Sequence, residues 1–413
     1  MLEKLNLTLK KNLYDLKKSD RLKGPERVIV DILPPCNNYG RKIKMSDGAS
    51  VINFASNNYL GISKDPRLIK AEHEASLKFG VGPGAVRFIS GTQEPHIKLE
   101  NRLSEFFRKE AAMIFSSAYA ANCGVIAPLV NKDTVVISDE LNHNSIITAI
   151  KLAGVLKEKK MIFSHCDMSE LRKCIYDSIR KATRLIIVTD GVFSMRGNYT
   201  PLNNIVELSK EYGHLFEEGI ITVVDDSHGV GAYGKTGRGT VEVCNTYEVD
   251  IITGTLGKAL GVDGGFIVSD QKVIDYLRET SPFYVYSNPV SSGIASAALQ
   301  ALEILDSKEG LELLGRLKRN TEYFRRGVER IGFETINGIH PIVPLLIGDP
   351  AKAKRMVAEL YKKGIFVIAL TYPVVPKGQD TIRVQISGAH TEKDIDYALN
   401  AFEETMKKED IGV

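Results

Sequence analysis

Short apolar runs rich in β-branched residues recur through the middle of the chain, at 112–115, 134–137, 161–163, 185–189, 220–224 and 251–253. Bounded by Gly, Asp or Ser, such runs predict buried strands. Between them apolar residues return every three or four positions near 145–156, 168–181 and 202–212, which predicts helices with one buried face. The run at 266–268, preceded by Gly264-Gly265, adds a seventh strand. Repeated alternation of strand and helix predicts an α/β fold: a mostly parallel seven-stranded sheet covered on both faces.

The flanks read differently. Leu2, Leu5, Leu9, Leu13 and Leu16 predict an amphipathic helix with a lysine-rich outer face, stopped by Gly24-Pro25. Residues 28–52 predict irregular strands and turns. Helices are expected at 65–80, opened by Asp65-Pro66, and at 96–107. After Pro289 one long helix is expected to run through 295–304 and on to 331. Strands at 341–348, 366–370 and 381–386, with helices at 351–363 and 392–408, then form a small α+β unit. The expected divisions are therefore an N-terminal helix and extended arm (1–50), a large α/β domain (51–290) and a C-terminal α+β domain (291–413).

Composition narrows the class. The 413 residues are 43% hydrophobic and 25% charged, ordinary for a globular enzyme, and a net charge of +3 gives no reason to expect nucleic acid or an anionic membrane. The uncharged stretch 111–130 has the length of a membrane span. It holds Ser116, Ser117, Asn122, Gly124 and Pro128, however, and predicts a buried strand, turn and helix instead. Five scattered cysteines without a C-x-x-C pair suit a reducing cytoplasm and give no zinc spacing, so no metal is expected. Residues 1–23 are charged throughout, unlike a signal peptide.

The candidate chemistry lies at strand ends. The run 220–224 ends in Asp225-Asp226-Ser227-His228-Gly229, and the run 251–253 is followed by Gly254-Thr255-Leu256-Gly257-Lys258. In an open α/β sheet ligands collect beyond the carboxyl ends of the strands. A lysine among small residues can form a Schiff base with a carbonyl. An aspartate nearby can hold a pyridinium nitrogen, the pair that pyridoxal 5'-phosphate (PLP) requires. The glycines of Gly80-Val81-Gly82-Pro83-Gly84 could cradle a phosphate, a weaker signal.

From about residue 45 onward the chain resembles the α-oxoamine synthases, through FASNNYLG, VRFISGTQEPH, SDELNHNSI, TDGVFSMRG, DDSHGVGAYGKTGRG, DIITGTLGKALG, YPVVPKGQ and IRVQISGAHT. These are fold-type I PLP-dependent transferases, aspartate aminotransferase-like in fold, that join an amino acid to an acyl-CoA. The strings DDSH, DIITGTLGKALG and YPVVPKG lean towards the glycine C-acetyltransferase branch. The chain departs from that branch at Ala118-Tyr119-Ala120, where Cys-Phe-Asp is frequent, and in a GVDGGF run one residue shorter.

What the resemblance implies attaches to particular residues. Lys258 matches the Schiff-base lysine, Asp225 the partner of the ring nitrogen, and His228 the histidine that hydrogen-bonds the phenolic oxygen. His143 matches the ring that stacks on the cofactor, and Ser194 a serine near its oxygen. Backbone N–H groups of Ala118 and Tyr119 match the phosphate turn, joined by the Thr255 hydroxyl. Ser287 matches a phosphate contact made from the second subunit, so a homodimer with shared active sites is implied. Arg383 and Asn57 match the grip on the amino acid carboxylate. The implied reaction condenses glycine with an acyl-CoA, acetyl-CoA by the branch strings, to a 2-amino-3-oxo acid and CoA, or runs in reverse in threonine catabolism. The alternative is 8-amino-7-oxononanoate synthase or another member of the family with a different acyl-CoA.

Overall fold

The computed structural model describes residues 2–19, 21–22, 25–372 and 374–410; Gly24 of the expected helix stop and Pro373 of the YPVVPKGQ string lie outside them. The chain opens with α1 (Glu3–Lys18), which buries no residue of its own. Strands β1 (Ile29–Leu33), β2 (Lys42–Met45) and β3 (Ser50–Asn53) follow, then α2 (Pro66–Phe79) and α3 (Glu94–Phe107). Asp65 caps α2 by accepting from Arg67 N, with Pro66 in the first turn, as the sequence predicts.

The central region comprises β4 (Ala111–Phe115), α4 (Ala118–Leu129), β5 (Thr134–Asp139), α5 (Asn144–Leu152), β6 (Lys160–Phe163), α6 (Met168–Ser178), β7 (Arg184–Asp190) and α7 (Leu202–Gly213). It continues through β8 (Ile220–Asp225), α8 (Thr240–Val243), β9 (Ile251–Thr255) and β10 (Gly265–Ser269), then α9 (Gln271–Thr280) and α10 (Pro282–Val285). The seven strands order as β4-β10-β9-β8-β7-β5-β6. Only β10 runs antiparallel to its neighbours. The fold is thus the α/β architecture with a mostly parallel sheet. Every residue of β4 is buried, and the uncharged stretch 111–130 resolves into β4 and α4. Among the described residues no helix is long and apolar enough to cross a membrane.

The long helix expected after Pro289 is two helices, α11 (Ser292–Leu305) and α12 (Lys308–Ile331). The break has a local cause: Ser307 caps α12 by accepting from Gly310 N, and a Cβ on Gly310 would stand 2.0 Å from Leu305 O. Last come β11 (Ile342–Leu346), α13 (Pro350–Lys362), β12 (Ile365–Phe366), β13 (Ile368–Leu370), β14 (Thr381–Gln385) and α14 (Glu392–Asp410). The order β11-β14-β13 makes a small antiparallel sheet, whereas β12 pairs parallel with β3 of the N-terminal arm. The arm and the C-terminal unit are therefore stitched together by backbone hydrogen bonds. One apolar cluster runs from Phe54 and Leu60 through Phe266 and Ala298 to Phe324, Val384 and Phe402, which fixes the C-terminal unit against the large sheet.

Candidate active site

Parallel strands place their carboxyl ends along one edge. Here β7 and β8 end on Asp190 and Asp225, which are register partners, and β9 ends at Thr255 with Lys258 three residues beyond. The first turns of α4 and α5 begin above the same edge. Together they enclose a chamber of about 270 Å³ lined by Ala118, Tyr119, His143, Ser194, Asp225, His228, Thr255 and Lys258, all eight singled out in the sequence. Its wall also holds Ser117, Ser145, Asp190, Val192 and Ser227, to none of which the sequence reading gave a role in the site.

Asp225 is held rather than free. Asn122 Nδ2 donates to its Oδ2 at 2.6 Å, and Ser227 N donates to Oδ1 at 3.0 Å. Asn122 is itself oriented by Thr253 Oγ1, which donates to Asn122 Oδ1 at 2.7 Å. The same amide donates to Ser145 Oγ at 2.9 Å, and that hydroxyl lies 2.8 Å from His143 Nδ1. One hydrogen-bonded row therefore runs from the carboxylate to the ring above it. Asp190 accepts from His143 N at 2.9 Å; burial and then the charge of Asp225 push its carboxyl well above the ordinary value. Asp226 points away from the chamber, where Thr240 N and Oγ1 donate to it at 2.7 and 2.6 Å.

Burial lowers the pKa of Lys258 to about 8, against the opposing pull of Asp225 and Asp190. Near neutral pH this amine loses its proton far more readily than a surface lysine. His228 is buried, and burial together with the Lys258 and Arg383 charges keeps it neutral. Among the described residues no hydrogen bond is made by the backbone N–H of Ala118 or Tyr119 at the start of α4, so both are available to an anion. Gly265 allows this turn to sit so low, since a Cβ there would lie 2.3 Å from Ala118 N. Thr255 Oγ1 donates to Gly264 O at 3.2 Å beside it.

Three expected residues lie outside the chamber wall. Arg383 and Asn57 stand together behind His228, with Arg383 Nη2 only loosely engaged, 3.5 Å from Asn57 Oδ1 and 3.4 Å from Gln385 Oε1. Arg383 Nε is buried with no partner, and among the described residues no carboxylate pairs with this guanidinium. Ser287 is half-buried after α10 and its hydroxyl donates to Asn288 O at 3.4 Å; neither it nor the Gly80–Gly84 loop lines the chamber of its own chain.

The donor set fits PLP. A fixed carboxylate, a deprotonatable lysine, free N–H groups at a helix start and a buried Ser227 Oγ without a protein partner line one small chamber.

Comparison with known proteins agrees. Residues 49–402 match the family model "Aminotransferase class I and II". The chain is 41% identical over 363 residues to the 8-amino-7-oxononanoate synthase of Thermosipho melanesiensis, covering 88% of this chain and 90% of that one. It is equally 41% identical over 363 residues to the 2-amino-3-ketobutyrate coenzyme A ligase of Escherichia coli, covering 87% and 88%. The chain belongs to the α-oxoamine synthases. Among solved structures this α-oxoamine synthase superposes on the serine palmitoyltransferase of Sphingomonas wittichii with a TM-score of 0.88 at 26% identity, over 100% and 99% of the two chains. A lysine-to-alanine variant of the serine palmitoyltransferase of S. paucimobilis, solved with a bound PLP–myriocin aldimine, gives a TM-score of 0.86, also at 26% identity, over 99% and 98%. The fold-type I assignment follows.

Proposed function

We propose that the chain uses PLP to condense glycine with an acyl-CoA, releasing CoA and a 2-amino-3-oxo acid. The observation that carries the reading is the meeting of Lys258 and Asp225 in one chamber. PLP, when bound, supplies an electron sink for a carbanion at the amino acid α-carbon. The chain does the rest. Asp225, fixed by Asn122 and Ser227, presents negative charge to the ring nitrogen. With PLP bound, the Ala118 and Tyr119 N–H groups and the Thr255 hydroxyl would receive the phosphate, Ser194 would meet a cofactor oxygen, and the His143 ring would cover one face. Arg383, a half-buried cation with no carboxylate partner among the described residues, takes the substrate carboxylate together with Asn57. Lys258, neutral above about pH 8, removes the α-proton. The burial of Asp225 and His228 lowers the local dielectric, which strengthens these contacts.

The acyl group divides two readings. The branch strings favour acetyl-CoA, and with it a role in threonine catabolism. A second cavity of about 420 Å³ shares Ser194 with the chamber and lies between the Phe193–Arg196 turn and the C-terminal unit. It is far larger than a two-carbon acyl group needs. Its polar edge carries Arg196 Nε, Asp380 Oδ1 and Thr381 Oγ1, all buried without partners. This supports a longer acyl chain with a polar end, as in the 8-amino-7-oxononanoate synthase reading. The test is release of CoA thiol from the PLP-loaded protein with glycine or alanine and a series of thioesters. Turnover confined to acetyl-CoA with glycine selects the first reading, and turnover confined to long dicarboxylic thioesters the second. No thiol release with any of them overturns the acyltransferase assignment.

We further propose a cytoplasmic homodimer. All five cysteines are free, and Ser287 reaches a phosphate only if it enters the chamber of a second subunit.

A further inference from the structure

No functional role attaches to the motif VRFISGTQEPH or to the helix it opens, yet two buried side chains of α3 grip the segment that carries Ser287. His96 and Glu100 lie one turn apart on the buried face of α3. His96 Nδ1 accepts from Gln93 N at 3.1 Å, and its Nε2 donates to Val290 O at 2.8 Å. A backbone N–H can only donate and a carbonyl can only accept, so both contacts fix the ring the same way round.

Glu100 holds the other end. Its Oε1 accepts from Arg87 Nη1 at 3.0 Å and from Ile114 N at 3.2 Å. Its Oε2 accepts from Arg87 Nη2 at 3.1 Å and from Arg278 Nη2 at 2.8 Å. Arg278 passes the hold on: Nη1 donates to Tyr284 Oη, and Nη2 donates also to Ala112 O at 3.1 Å. Ala112 and Ile114 belong to β4, an edge strand of the large sheet. An edge leaves backbone groups without a strand partner, and here a buried carboxylate and its arginine take them.

Tyr284 and Val290 are buried, whereas Tyr286 and Asn288 between them are exposed. Among the described residues the hydrogen bonds of 286–289 are local: Tyr286 N donates to Pro282 O and Ser287 Oγ to Asn288 O. Ser287 thus rides on a short span that its own chain fixes at both ends and leaves unsupported in the middle.

We propose that His96 and Glu100, the latter through Arg278, are positioning residues for the chamber of the partner subunit: they hold the span 285–289 so that Ser287 meets the phosphate there. A hydroxyl serves a phosphate only within hydrogen-bond reach, and a span free to sway would lose conformational entropy each time it docked. Two fixed ends remove most of that cost before the subunits meet. A purely structural role would be felt in the chain that carries the residue; this one is felt across the interface.

The proposal rests on the PLP reading with shared sites, and the test separates the two. Mixed dimers are purified from two differently tagged full-length chains, one carrying Lys258→Ala, so that the absorbance of lysine-bound PLP reports a single chamber. Arg278→Gln leaves the buried Arg87–Glu100 pair intact, and His96→Leu keeps an apolar side chain in the buried position. Placed in the Lys258→Ala chain, whose Ser287 serves the reporting chamber, each should weaken PLP binding at least about tenfold. Placed in the reporting chain itself, each should cost less than about threefold. Either variant decides alone should the other not assemble. Ser287→Ala in the same two positions calibrates the assay. If Ser287→Ala acts from the partner while Arg278→Gln and His96→Leu do not, or act as strongly from the reporting chain, the proposal is overturned and the shared site stands. If Ser287→Ala acts from neither chain, the shared-site reading fails and takes the proposal with it.

Discussion

Lys258 carries the strongest consequence at the scale of single residues. Its amine attacks a carbonyl only when neutral, and burial brings its pKa down to about 8 from the ordinary 10.5. The rate at which PLP-free protein gains visible absorbance on adding PLP should therefore rise with pH through about 8 and level off above it. Below that it should fall about tenfold per unit. Asp225 opposes the shift, so Asp225→Asn should move the midpoint lower, while the titration of free PLP is common to both proteins and cancels. A wild-type midpoint near 10.5 would contradict the buried-amine account. Lys258, Asp225 and His228 were legible because each follows an apolar run that can only be a strand. Asp190 carried the same signal, an acid closing the run 185–189, and was passed over. Asn122 was visible as a lone amide in an uncharged helical stretch. Glu100 and Arg278 were not legible as partners: 178 residues separate them, and nothing local says that they meet.

At the scale of elements the periodicities gave strand and helix order through the large sheet, because strands buried on both faces leave unmistakable apolar runs. The antiparallel direction of β10 left no such trace, since direction depends on what the connection does rather than on the run itself. Nor did the break between α11 and α12, which one serine and one close glycine impose on a continuous helical pattern. The site depends on a similar close approach. Gly265 in β10 pairs with Phe115 and Thr255, and its missing Cβ is the space in which the first turn of α4 lies. Gly265→Ala should press that turn outward. The cost to folding should be about 1–3 kcal/mol, as for overpacking elsewhere. PLP should be held at least about tenfold more weakly, or ~1.4 kcal/mol, because the Ala118 and Tyr119 N–H groups move with the turn. Thermal unfolding without PLP and equilibrium PLP titration separate the two effects. An unchanged PLP affinity would show that the phosphate is received elsewhere.

At the scale of the whole molecule several large apolar side chains stand in water around one joint. Val81 is 88% and Tyr286 80% exposed, and Leu77, Phe88 and Ile89 are exposed beside them in sequence. These residues flank one joint. The turn Arg87–Gly91 opens to π-helical width, Arg87 is buried against Glu100 at 3.0 Å, and its guanidinium lies 5.4 Å from the Tyr284 ring in α10. The buried pair anchors the turn from beneath and leaves Phe88 and Ile89 facing out, next to the segment that carries Ser287. A second copy covering this surface would bury the apolar side chains and bring Ser287 to a chamber it cannot reach in its own chain. Phe88→Glu places a charge in that contact without touching either chamber wall. Sedimentation should show wild type as a dimer and Phe88→Glu shifted to monomer at the same concentration, with PLP affinity and thiol release falling together by at least about tenfold. A monomeric Phe88→Glu with undiminished turnover would mean that each chain completes its own site, and Ser287 would then have no part in holding the phosphate.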